Sequence, residues 1–379
     1  MHFQIKRDTL LKSLNIAHNI IERKNTLPIL SNVLLDIKGN KLSIVATDLD
    51  LVFYDEITDL KVTKEGSTTT SATVLHDLIR KLPSNLDIIF NLKDENKLNI
   101  SAENSKFNLL CLPVDNFPNF SDNFEDKGLI LNKKDFLSLL NKTKISMSND
   151  ETRHYLNGIY IHTTEAKGKF FLTGVATDSH RLSSSSMPIE NSSNFKPFIL
   201  PKKTVFQLCS LLEDSDENIT LNSTDTKIQF KIGNSKIISK IIDGKFPDYQ
   251  KVVPKNNSKI LTVNAKDFIN SVERVITVSI DRKEGVKITL DKNNIQLFVN
   301  SSSSGEGKEI LKANYGSEPL TVSFNSRYLL DIASEIENES ITLNLQDAVS
   351  PVLILDNSDK QSYFVIMPMK IWKISYLTK

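Results

Sequence analysis

Hydrophobic residues recur along the chain with two periods, and these two patterns alternate. Runs such as residues 34–44 alternate apolar and polar side chains and break at Gly39-Asn40, which is typical of a β-hairpin. Between such runs, apolar residues recur every three or four positions, which predicts amphipathic helices. The helices are predicted at residues 7–14, 73–82, 133–140, 202–208, 264–272 and 325–332, and a short strand precedes each one.

The whole pattern occurs three times. A basic residue followed by aspartate opens a helix at Asp8, Asp135 and Asp267, and a Phe-Pro pair occurs at Phe117 and again at Phe246. A pattern repeated at this distance indicates duplicated domains rather than a short motif. The sequence therefore predicts three tandem copies of one domain, at residues 1–125, 126–253 and 254–379, the last with a short tail at 372–379.

Each copy is predicted to be an α+β domain. Strand, helix and several strands, repeated twice in a copy, favour antiparallel sheets with the helices on one face. The exposed helix faces carry lysine and arginine with few acids, while strands and loops hold most of the acids. This division predicts one side that faces a polyanion. The basic residues of the helices include Arg7, Lys12, Lys134, Lys142, Lys266 and Arg274.

Composition and charge exclude several classes of protein. The 379 residues carry a formal net charge of +1 and include two cysteines, with no Cys/His cluster, so a general polycation and a structural zinc site are excluded. The charged start, Met1–Arg7, lacks the apolar core of a signal peptide. No apolar run reaches the roughly 18 residues that a membrane helix needs. We predict a cytoplasmic protein that uses no cofactor and no metal.

The first two copies share one sequence motif and differ in the residues that follow it. Val-Ala-Thr-Asp is followed by Leu-Asp at 49–50 in the first copy and by Ser-His-Arg at 179–181 in the second. The Asp-Ser-His run at 178–180 resembles a nucleophilic set, but neighbours on an extended segment point to opposite faces. Residues 305–309 lack the first glycine and the Ser/Thr of a phosphate loop, which favours a turn at a hairpin tip. An enzyme is therefore not predicted.

Five short motifs occur in order on this repeat: Thr26–Leu30, Arg153–Gly158, Ala176–Leu182, Asp243–Tyr249 and Val365–Met369. With them the chain resembles the beta sliding clamps of bacterial DNA polymerase III, over residues 1 to about 371. The resemblance implies a head-to-tail homodimer ring of six domains, with sheets outside and twelve helices around a hole. Helices about 10 Å apart would enclose a circle roughly 38 Å across. The hole of about 28 Å that remains is wide beside a major groove of about 12 Å.

The resemblance implies a DNA sliding clamp, a non-catalytic processivity factor. Its ring would encircle duplex DNA, touch phosphates without reading sequence, and tether the polymerase. The implied partners are duplex DNA, the replicative DNA polymerase catalytic subunit, the clamp loader, other polymerases and repair proteins with clamp-binding peptides, and a second copy of the chain, with no membrane. An adaptor ring, in which protein docking is the main role and DNA encirclement is secondary, stays open as the alternative.

In the family, a pocket between the second and third domains receives short peptides from these partners. Methionine and leucine give such a pocket a deformable apolar surface, and its basic residues can hydrogen-bond a peptide. One pocket per chain is implied, because only the second copy carries residues 179–181. The matching residues are Arg153, Leu156, Thr177, Ser179, His180, Arg181, Leu182, Pro247, Lys251, Val252, Val349, Ser350, Pro351, Val365, Met367, Pro368, Met369, Lys370 and Ile371.

The resemblance also implies contacts with DNA and with the second subunit. At the dimer seam, an apolar pair from domain one would face an apolar pair from domain three. Val74 stands where the family has a lysine, so one interchain ion pair is expected to be missing. The DNA-contacting residues are Lys24, His154 and Tyr155, with Arg80, Lys202 and Lys203 at the inner helices; those of the seam are Phe107 and Leu109 against Ile276 and Val278.

Three features depart from the family. Ser179 stands in place of glycine and adds a side chain at the pocket rim. Lys370-Ile371 replaces Arg-Leu, which removes a planar guanidinium. The chain also continues as Trp372–Lys379 past the usual end of the family. A loosely packed end and a segment that lies over the pocket both stay open for this tail.

Overall fold

The computed structural model describes residues 1–22, 26–94, 96–120, 124, 128–190, 196–279 and 285–369. Its helices are α1 (Arg7–Ile20), α2 (Ala72–Lys81), α3 (Lys133–Lys144), α4 (Lys202–Glu213), α5 (Ala265–Ile276) and α6 (Ser326–Ala333). Its strands are β1 (His2–Lys6), β2 (Asn32–Lys38), β3 (Lys41–Thr47), β4 (Leu51–Ile57), β5 (Leu60–Lys64), β6 (Gly66–Ser71), β7 (Asp87–Asp94), β8 (Lys97–Ala102), β9 (Ser105–Leu112), β10 (Leu129–Leu131), β11 (Gly158–Ala166), β12 (Lys169–Thr177), β13 (Arg181–Ile189), β14 (Phe198–Pro201), β15 (Ile219–Ser223), β16 (Lys227–Ile232), β17 (Ser235–Lys240), β18 (Lys259–Asn264), β19 (Gly285–Asp291), β20 (Asn294–Ser301), β21 (Gly305–Lys312), β22 (Asn314–Tyr315), β23 (Leu320–Asn325), β24 (Ser340–Leu345), β25 (Val352–Asp356) and β26 (Asp359–Ile366).

All six predicted helices are present, and their starts have local causes. Asp8, Asp135 and Asp267 lie in the first turns of α1, α3 and α5, where a negative charge favours the helix dipole. Asn264 caps α5 and Asn325 caps α6, because each side-chain oxygen accepts backbone N–H groups of the first turn. The three pairs of helices therefore begin where the sequence predicts.

One compact unit contains residues 1–137, 196 and 200–241 among those described. Its strands form an antiparallel sheet in the order β10-β15-β16-β17-β4-β3-β2-β6-β9-β8-β7-β1-β5. Helix α1 packs against β3 and β4 and contacts both α2 and α4. The buried stripe of α1, which includes Leu10, Leu14 and Ala17, has no exposed surface, so it anchors this core.

The second compact unit contains residues 138–190, 197–199 and 242–369 among those described. One of its sheets has the order β21-β20-β19-β23, and the other includes the run β11-β12-β13-β26-β25-β24-β18-β22. Helix α5 packs against β20, β21 and α6, and buries Phe268 and Val272 completely. Both sheets are antiparallel, as predicted.

The sheets cross from one copy to the next. In the first unit, β17 of the second copy pairs with β4 of the first, with Val52 opposite Ile238. In the second unit, β26 of the third copy pairs with β13 of the second, with Leu182 opposite Val365. The compact units therefore follow continuous sheets, while the repeat of helices and strands follows the three predicted copies.

Three expectations about individual residues need correction. Lys142 is buried, with its Nζ 2.8 Å from Asp359 and 2.9 Å from Glu337, so it is not on an exposed basic face. Burial lowers the pKa of Lys142, but its hydrogen bonds to the two carboxylates outweigh this and raise it. Arg7 is mostly buried and donates to the carbonyls of Ile79 and Arg80. The predicted hairpin tip is present, but its turn lies at residues 302–304, and residues 305–309 already belong to strand β21.

Candidate functional site

The turn between β12 and β13 is built by its own side chains. The Asp178 carboxylate accepts the backbone N–H groups of His180 and Arg181, at 2.9 and 3.0 Å. The Thr177 hydroxyl donates to the carbonyl of Arg181 at 2.7 Å and accepts the N–H of Ser179. These bonds hold Ser179 at a φ of 77°, in the left-handed region that favours glycine.

The first copy contains the same turn between β3 and β4. Asp48 accepts the N–H groups of Asp50 and Leu51, and the Thr47 hydroxyl donates to the carbonyl of Leu51. Leu49 has a φ of 79°. The duplicated motif in the sequence is therefore a duplicated turn, in which the side chains at 49–51 differ from those at 179–181.

A buried apolar cluster lies beneath the turn of the second copy. Leu156, Leu182 and Val365, all predicted pocket residues, pack together in it with Phe246 and Tyr249. Each of the three predicted residues is almost completely buried. They therefore form the floor of a site rather than its accessible surface.

The accessible apolar surface comes from residues around this floor. Val252 and Val349 are 52% and 68% exposed, and Met367 and Met369 are each 39% exposed. The backbone N–H of Met367 donates to the carbonyl of His180 at 2.8 Å, and that of Met369 donates to Ser323 at 2.7 Å. Three separate segments thus present large apolar side chains to solvent, which is typical of an interaction surface.

Gly285 lies close beside one of these methionines. A Cβ atom at Gly285 would lie 3.0 Å from the Met369 sulfur and 3.2 Å from the backbone oxygen of Phe324. A larger residue would therefore displace Met369. The side chain of this methionine consequently rests against strand β19 of the third copy.

Polar side chains surround the apolar surface. Arg153 donates from Nε to Asp150 at 2.8 Å and from Nη1 to the Ser179 hydroxyl at 2.6 Å. Lys251 pairs with Asp248 at 3.1 Å. At the predicted residues 349–351, the Asp347 carboxylate accepts hydrogen bonds from the backbone N–H and the hydroxyl of Ser350. The Pro351 carbonyl accepts a hydrogen bond from the side-chain amide of Asn257. Pro247 and His180 are exposed, and Pro368 is half-buried.

Arg181 has a different role from the one expected. It is 9% exposed, its Nε lies 3.1 Å from Asp178, and its Nη1 lies 2.6 Å from Asp331. Its guanidinium also lies over the Tyr328 ring, 4.2 Å from the ring centre. Arg181 therefore fastens the turn to helix α6 and is not available as a peptide donor.

The candidate DNA-contacting residues are found in two settings. Arg80 is exposed and lies 3.4 Å from Asp77, and Lys202 is partly exposed at the start of α4. His154 is exposed and contacts the carbonyl of Asp243 at 3.1 Å, beside the ring of Tyr155. Lys203 is instead paired with Asp48 at 2.5 Å, so it holds the first turn within the chain.

The candidate residues of the dimer seam differ in their exposure to solvent. Phe107, Leu109 and Val278 are partly exposed, as a seam requires. Ile276 is buried in the core of the third copy, so it offers almost no surface to a partner. Val74 is 49% exposed and carries no charge at the position where the family has lysine.

Lys24, Lys370, Ile371 and the tail Trp372–Lys379 lie outside the described residues.

Several residues that shape the site were not predicted. Asp331 and Tyr328 orient Arg181, but they lie about 150 residues away along the chain, and no local pattern links them to it. His162 is buried beneath the floor, where its Nε2 lies 3.1 Å from the Tyr249 hydroxyl. Tyr249 lies at the end of the Asp243–Tyr249 motif, so this motif could have identified Tyr249 as a residue of the site.

No group of three or more His, Cys, Asp or Glu side chains in the described part of the chain is arranged to hold a metal ion. None of the described helices is long and apolar enough to cross a membrane.

Three family models match the chain in order. They are the N-terminal domain of the DNA polymerase III beta subunit over residues 1–121, its central domain over 130–248, and its C-terminal domain over 250–370. The beta sliding clamp of Caulobacter vibrioides is 36% identical over 373 residues, which cover 98% of this chain and all of that protein. The beta sliding clamp of Escherichia coli K12 is 31% identical over 371 residues, with the same coverage.

Solved structures agree with these sequence matches. A sliding clamp from Bartonella birtlesii, bound to griselimycin, is 38% identical and has a TM-score of 0.92, covering 98% of this chain and all of that one. A Caulobacter crescentus clamp is 36% identical, with a TM-score of 0.92, and covers 98% of this chain and 99% of that one. The chain therefore belongs to the family of bacterial DNA polymerase III beta subunits, the sliding clamps, which are non-catalytic processivity factors of DNA replication.

Proposed function

We propose that two copies of this chain form a head-to-tail ring that encircles duplex DNA in the cytoplasm. The ring tethers the replicative polymerase, and exchanges it for other polymerases and repair proteins, through the pocket that Met367 and Met369 line. A clamp loader opens and closes the ring. The observation that carries the ring is a pairing of strands from successive copies, which occurs twice within the chain and has no third occurrence among the described residues.

At each junction inside the chain, the third strand after the opening helix of one copy pairs with the last strand of the next copy. These pairs are β4 with β17 and β13 with β26. The corresponding strand of the third copy, β21, pairs only with β20 in the described part of the chain. The last strand of the first copy, β9, pairs beyond β8 only at Cys111 and Leu112.

These two strands are matched in length, since each contains eight residues. Leu110 and Ile310 project from them with 76% and 63% exposure. A strand with one open edge and exposed apolar side chains favours association through that edge. If β21 of one protomer pairs with β9 of its partner, two new junctions form and close a ring of six domains. Phe107, Leu109 and Val278 lie on or near these elements, which supports their place in the seam.

Contact with DNA would be electrostatic and independent of sequence. On or near the helices, the side chains of Arg80 and His154 are exposed and that of Lys202 is partly exposed, and Lys203 is paired with Asp48. A few such contacts give weak binding that falls steeply with salt. Retention on DNA would therefore come from closure of the ring and not from affinity.

The pocket is suited to short peptides. Four exposed apolar residues over a close-packed floor can bury leucine or aromatic side chains of a partner, at roughly 25 cal/mol for each Å² of apolar surface removed from water. The rim supplies His180 and Arg153 as donors to a peptide. Griselimycin, which is bound to the clamp of Bartonella birtlesii, is a candidate ligand for the same surface.

The ring is tested by comparing how well the protein is retained on circular and on linear DNA. The protein is loaded onto nicked circular DNA with a clamp loader and ATP, washed in high salt, and then the circle is linearised with a restriction enzyme. We expect the protein to stay on the circle and to leave after cutting. A protein that stays equally after cutting, or never stays on the circle, would contradict encirclement and favour a docking ring in which DNA is secondary.

A further inference from the structure

Two histidine rings form part of the contact between helices α1 and α2 in the first copy. The rings of His18 and His76 are stacked, with their centres 4.4 Å apart and their planes inclined by 9°. His76 is 8% exposed, and His18 is half-buried. Each ring therefore covers one face of the other, and a charge on either ring would lie in a poorly hydrated contact.

The hydrogen bonds at this pair suit neutral rings. Nε2 of His76 lies 3.0 Å from Oδ1 of Asn15, and because an amide oxygen only accepts, the His76 ring carries its proton on Nε2. The Nδ1 atoms of both rings are buried and have no hydrogen-bond partner among the described residues. A further proton on His76 would therefore create a buried N–H group with no acceptor at an ordinary hydrogen-bond distance.

Little negative charge is available to offset a proton at this contact. The groups that act on His76 are His18, Asp77 and Arg80. The Asp77 carboxylate lies 3.5 Å from Nδ1 of His76, but its side chain is 47% exposed and it also lies 3.4 Å from Arg80. Burial lowers the pKa of His76, and the neighbouring His18 lowers it further.

Charged groups on the other elements packed against α1 and α2 are mostly paired already. Strand β6 has no titratable side chain, and β1 and α4 also carry the bases His2 and Lys202. Glu213 is exposed at the last position of α4. Protons at the histidine pair would therefore add positive charge that these elements do not offset. The existing pairs are Lys203 with Asp48 and Glu22, Arg7 with Asp8, Lys6 with Asp87, Lys38 with Asp36, Lys41 with Glu56, and Asp55 with the hydroxyls of Ser13 and Ser235.

We propose that the His18–His76 pair is an acid-sensitive contact, which holds α2 against α1 while both rings are neutral and releases α2 when the rings take up protons. Two charged rings stacked in this way repel each other, and each brings an unsatisfied N–H group into the contact. As pH falls below about 6.5, the ordinary histidine pKa, the open contact binds protons more readily than the closed one and becomes more populated. The contact lies within one copy, so it responds to acid in a ring and in a separate protomer alike.

This acid-sensitive contact is specific to the first copy. His76 is the fifth residue of α2, whereas the fifth residues of α4 and α6 are Phe206 and Leu330. Helices α3, α4, α5 and α6 contain no histidine. The helix pairs of the second and third copies are therefore internal controls, because they have no imidazole that can take up a proton.

A second tie between α1 and α2 does not titrate. Arg7 donates from Nε to the carbonyl of Ile79 at 3.0 Å and from Nη2 to that of Arg80 at 2.7 Å. Arginine stays charged throughout the pH range in which histidine titrates, so these bonds persist in acid. Acid should therefore loosen α2 while the copy stays folded. Because α2 carries Arg80, a candidate contact with DNA, this loosening would shift that side chain.

Hydrogen exchange of the full-length protein tests the proposal. Amide protection is compared at pH 7.5 and 5.5 by mass spectrometry, with labelling times adjusted for the intrinsic exchange rate at each pH. We expect the protection of peptides that cover residues 72–81 to fall about tenfold at pH 5.5, because one proton changes the equilibrium by up to about tenfold per pH unit. Peptides that cover α4 and α6 should change by less than about twofold.

Three substitutions separate the stacked pair from a single buried histidine. His76→Gln keeps a side-chain donor for Asn15 and cannot take up a proton, so the acid response should disappear. His18→Phe keeps a ring against His76 and removes the second charge, so the loss of protection should shrink to less than about threefold. His2→Gln is the matched control, because it removes another histidine of the same copy whose buried Nδ1 has no partner among the described residues. It should leave the response unchanged.

Each outcome supports or overturns the proposal. An α2 that keeps its protection at pH 5.5 overturns it, and so does a loss of protection that persists in His76→Gln. An undiminished loss in His18→Phe would also overturn it, because His76 would then act without its partner. Equal losses over the whole first copy would show general unfolding instead of the release of α2. Thermal unfolding at pH 7.5 shows which variants fold, and if His76→Gln does not, His18→Phe still decides.

Discussion

The two junctions within the chain share a backbone plan and differ in their side chains. At the first, the N–H of Lys240 donates to the carbonyl of Asp50 at 2.8 Å, and at the second the N–H of Met367 donates to His180 at the same distance. The side chains at the first junction form an ion pair, with Lys240 Nζ 2.8 Å from Asp50. At the second junction, the corresponding residues are a histidine and a methionine.

The difference shows how a duplicated scaffold gives one binding pocket per chain. The positive φ, the aspartate-centred turn and the strand pairing are retained at both junctions. At the first junction, Phe117 is buried in the apolar cluster while Phe120 and Phe124 pack against it. At the second, Val252, Met367 and Met369 leave apolar surface exposed. Function therefore depends on a few side chains that the fold does not require.

Loss of the residue that fastens each turn should have the largest effect, and an unequal one. Arg181→Ala leaves Asp178 largely buried without its cation, and breaking such a buried pair costs about 3 kcal/mol. Lys203→Ala also leaves a buried carboxylate, since the Asp48 side chain is 7% exposed, but the cation that it removes is 35% exposed and screened by solvent, so it should cost less, about 1 kcal/mol. Hydrogen exchange of peptides that cover each turn measures both. Equal losses would show that the two turns are fastened equally.

Removal of apolar and polar pocket side chains should have the next largest effect. Met369→Ala combined with His180→Ala should weaken binding of a leucine- and phenylalanine-containing peptide by about 2 kcal/mol, which is near thirtyfold. The control is Asp50→Ala with Lys240→Ala at the first junction, where an exposed ion pair contributes little. Fluorescence polarisation gives both affinities, and native mass spectrometry checks that the dimer persists. An unchanged affinity in the first variant would show that the pocket lies elsewhere.

Acid should affect the second junction through His162. Burial lowers the pKa of His162, whose Nδ1–H donates to the Thr163 carbonyl while its Nε2 accepts the Tyr249 hydroxyl. The unfolded chain therefore binds a proton more readily than the folded chain as pH falls below 6.5, the ordinary histidine pKa. Stability should decrease from there until pH reaches the lowered pKa, by at most about 1.4 kcal/mol per pH unit.

The matched variant for this prediction is His162→Gln, which keeps an acceptor for Tyr249 and cannot take up a proton. Its unfolding temperature should decrease less than that of the unsubstituted protein between pH 7.5 and 5.5. Burial also lowers the pKa of His76 in the first unit, but His76 is present in both proteins, so the difference between their pH profiles isolates His162. Identical pH profiles for the two proteins would show that His162 does not contribute to the pH dependence of stability.

The sequence predicts features that depend on neighbouring residues. The six helices, the hairpins and the duplicated turn follow from periodicity and from the aspartates in the first helical turns. Lys142 was predicted on an exposed face because helical spacing says nothing about Asp359, which lies in a strand of another copy. Ile276 and Arg181 were assigned to surfaces for the same reason, since their burial comes from distant segments.

The candidate site shows the same limit. Motifs identify Met367, Met369 and Val252, because they lie in or next to short matched runs. The φ of Ser179 and its bond to Arg153 depend on two loops that come together only in the folded chain, 26 residues apart. A residue that departs from its family can be seen in the sequence, but its contact cannot.

The strand pairs that cross from copy to copy also determine how the chain can be divided. A fragment that ends at residue 125 would expose the whole edge of β4, where residues 51–55 normally pair with β17. Val52 would lose the packing of Ile238 at the same time. Bare edges of this kind promote aggregation. The copies repeat in sequence, but each shares a sheet with the next, so soluble truncations should end outside whole sheets rather than between repeats.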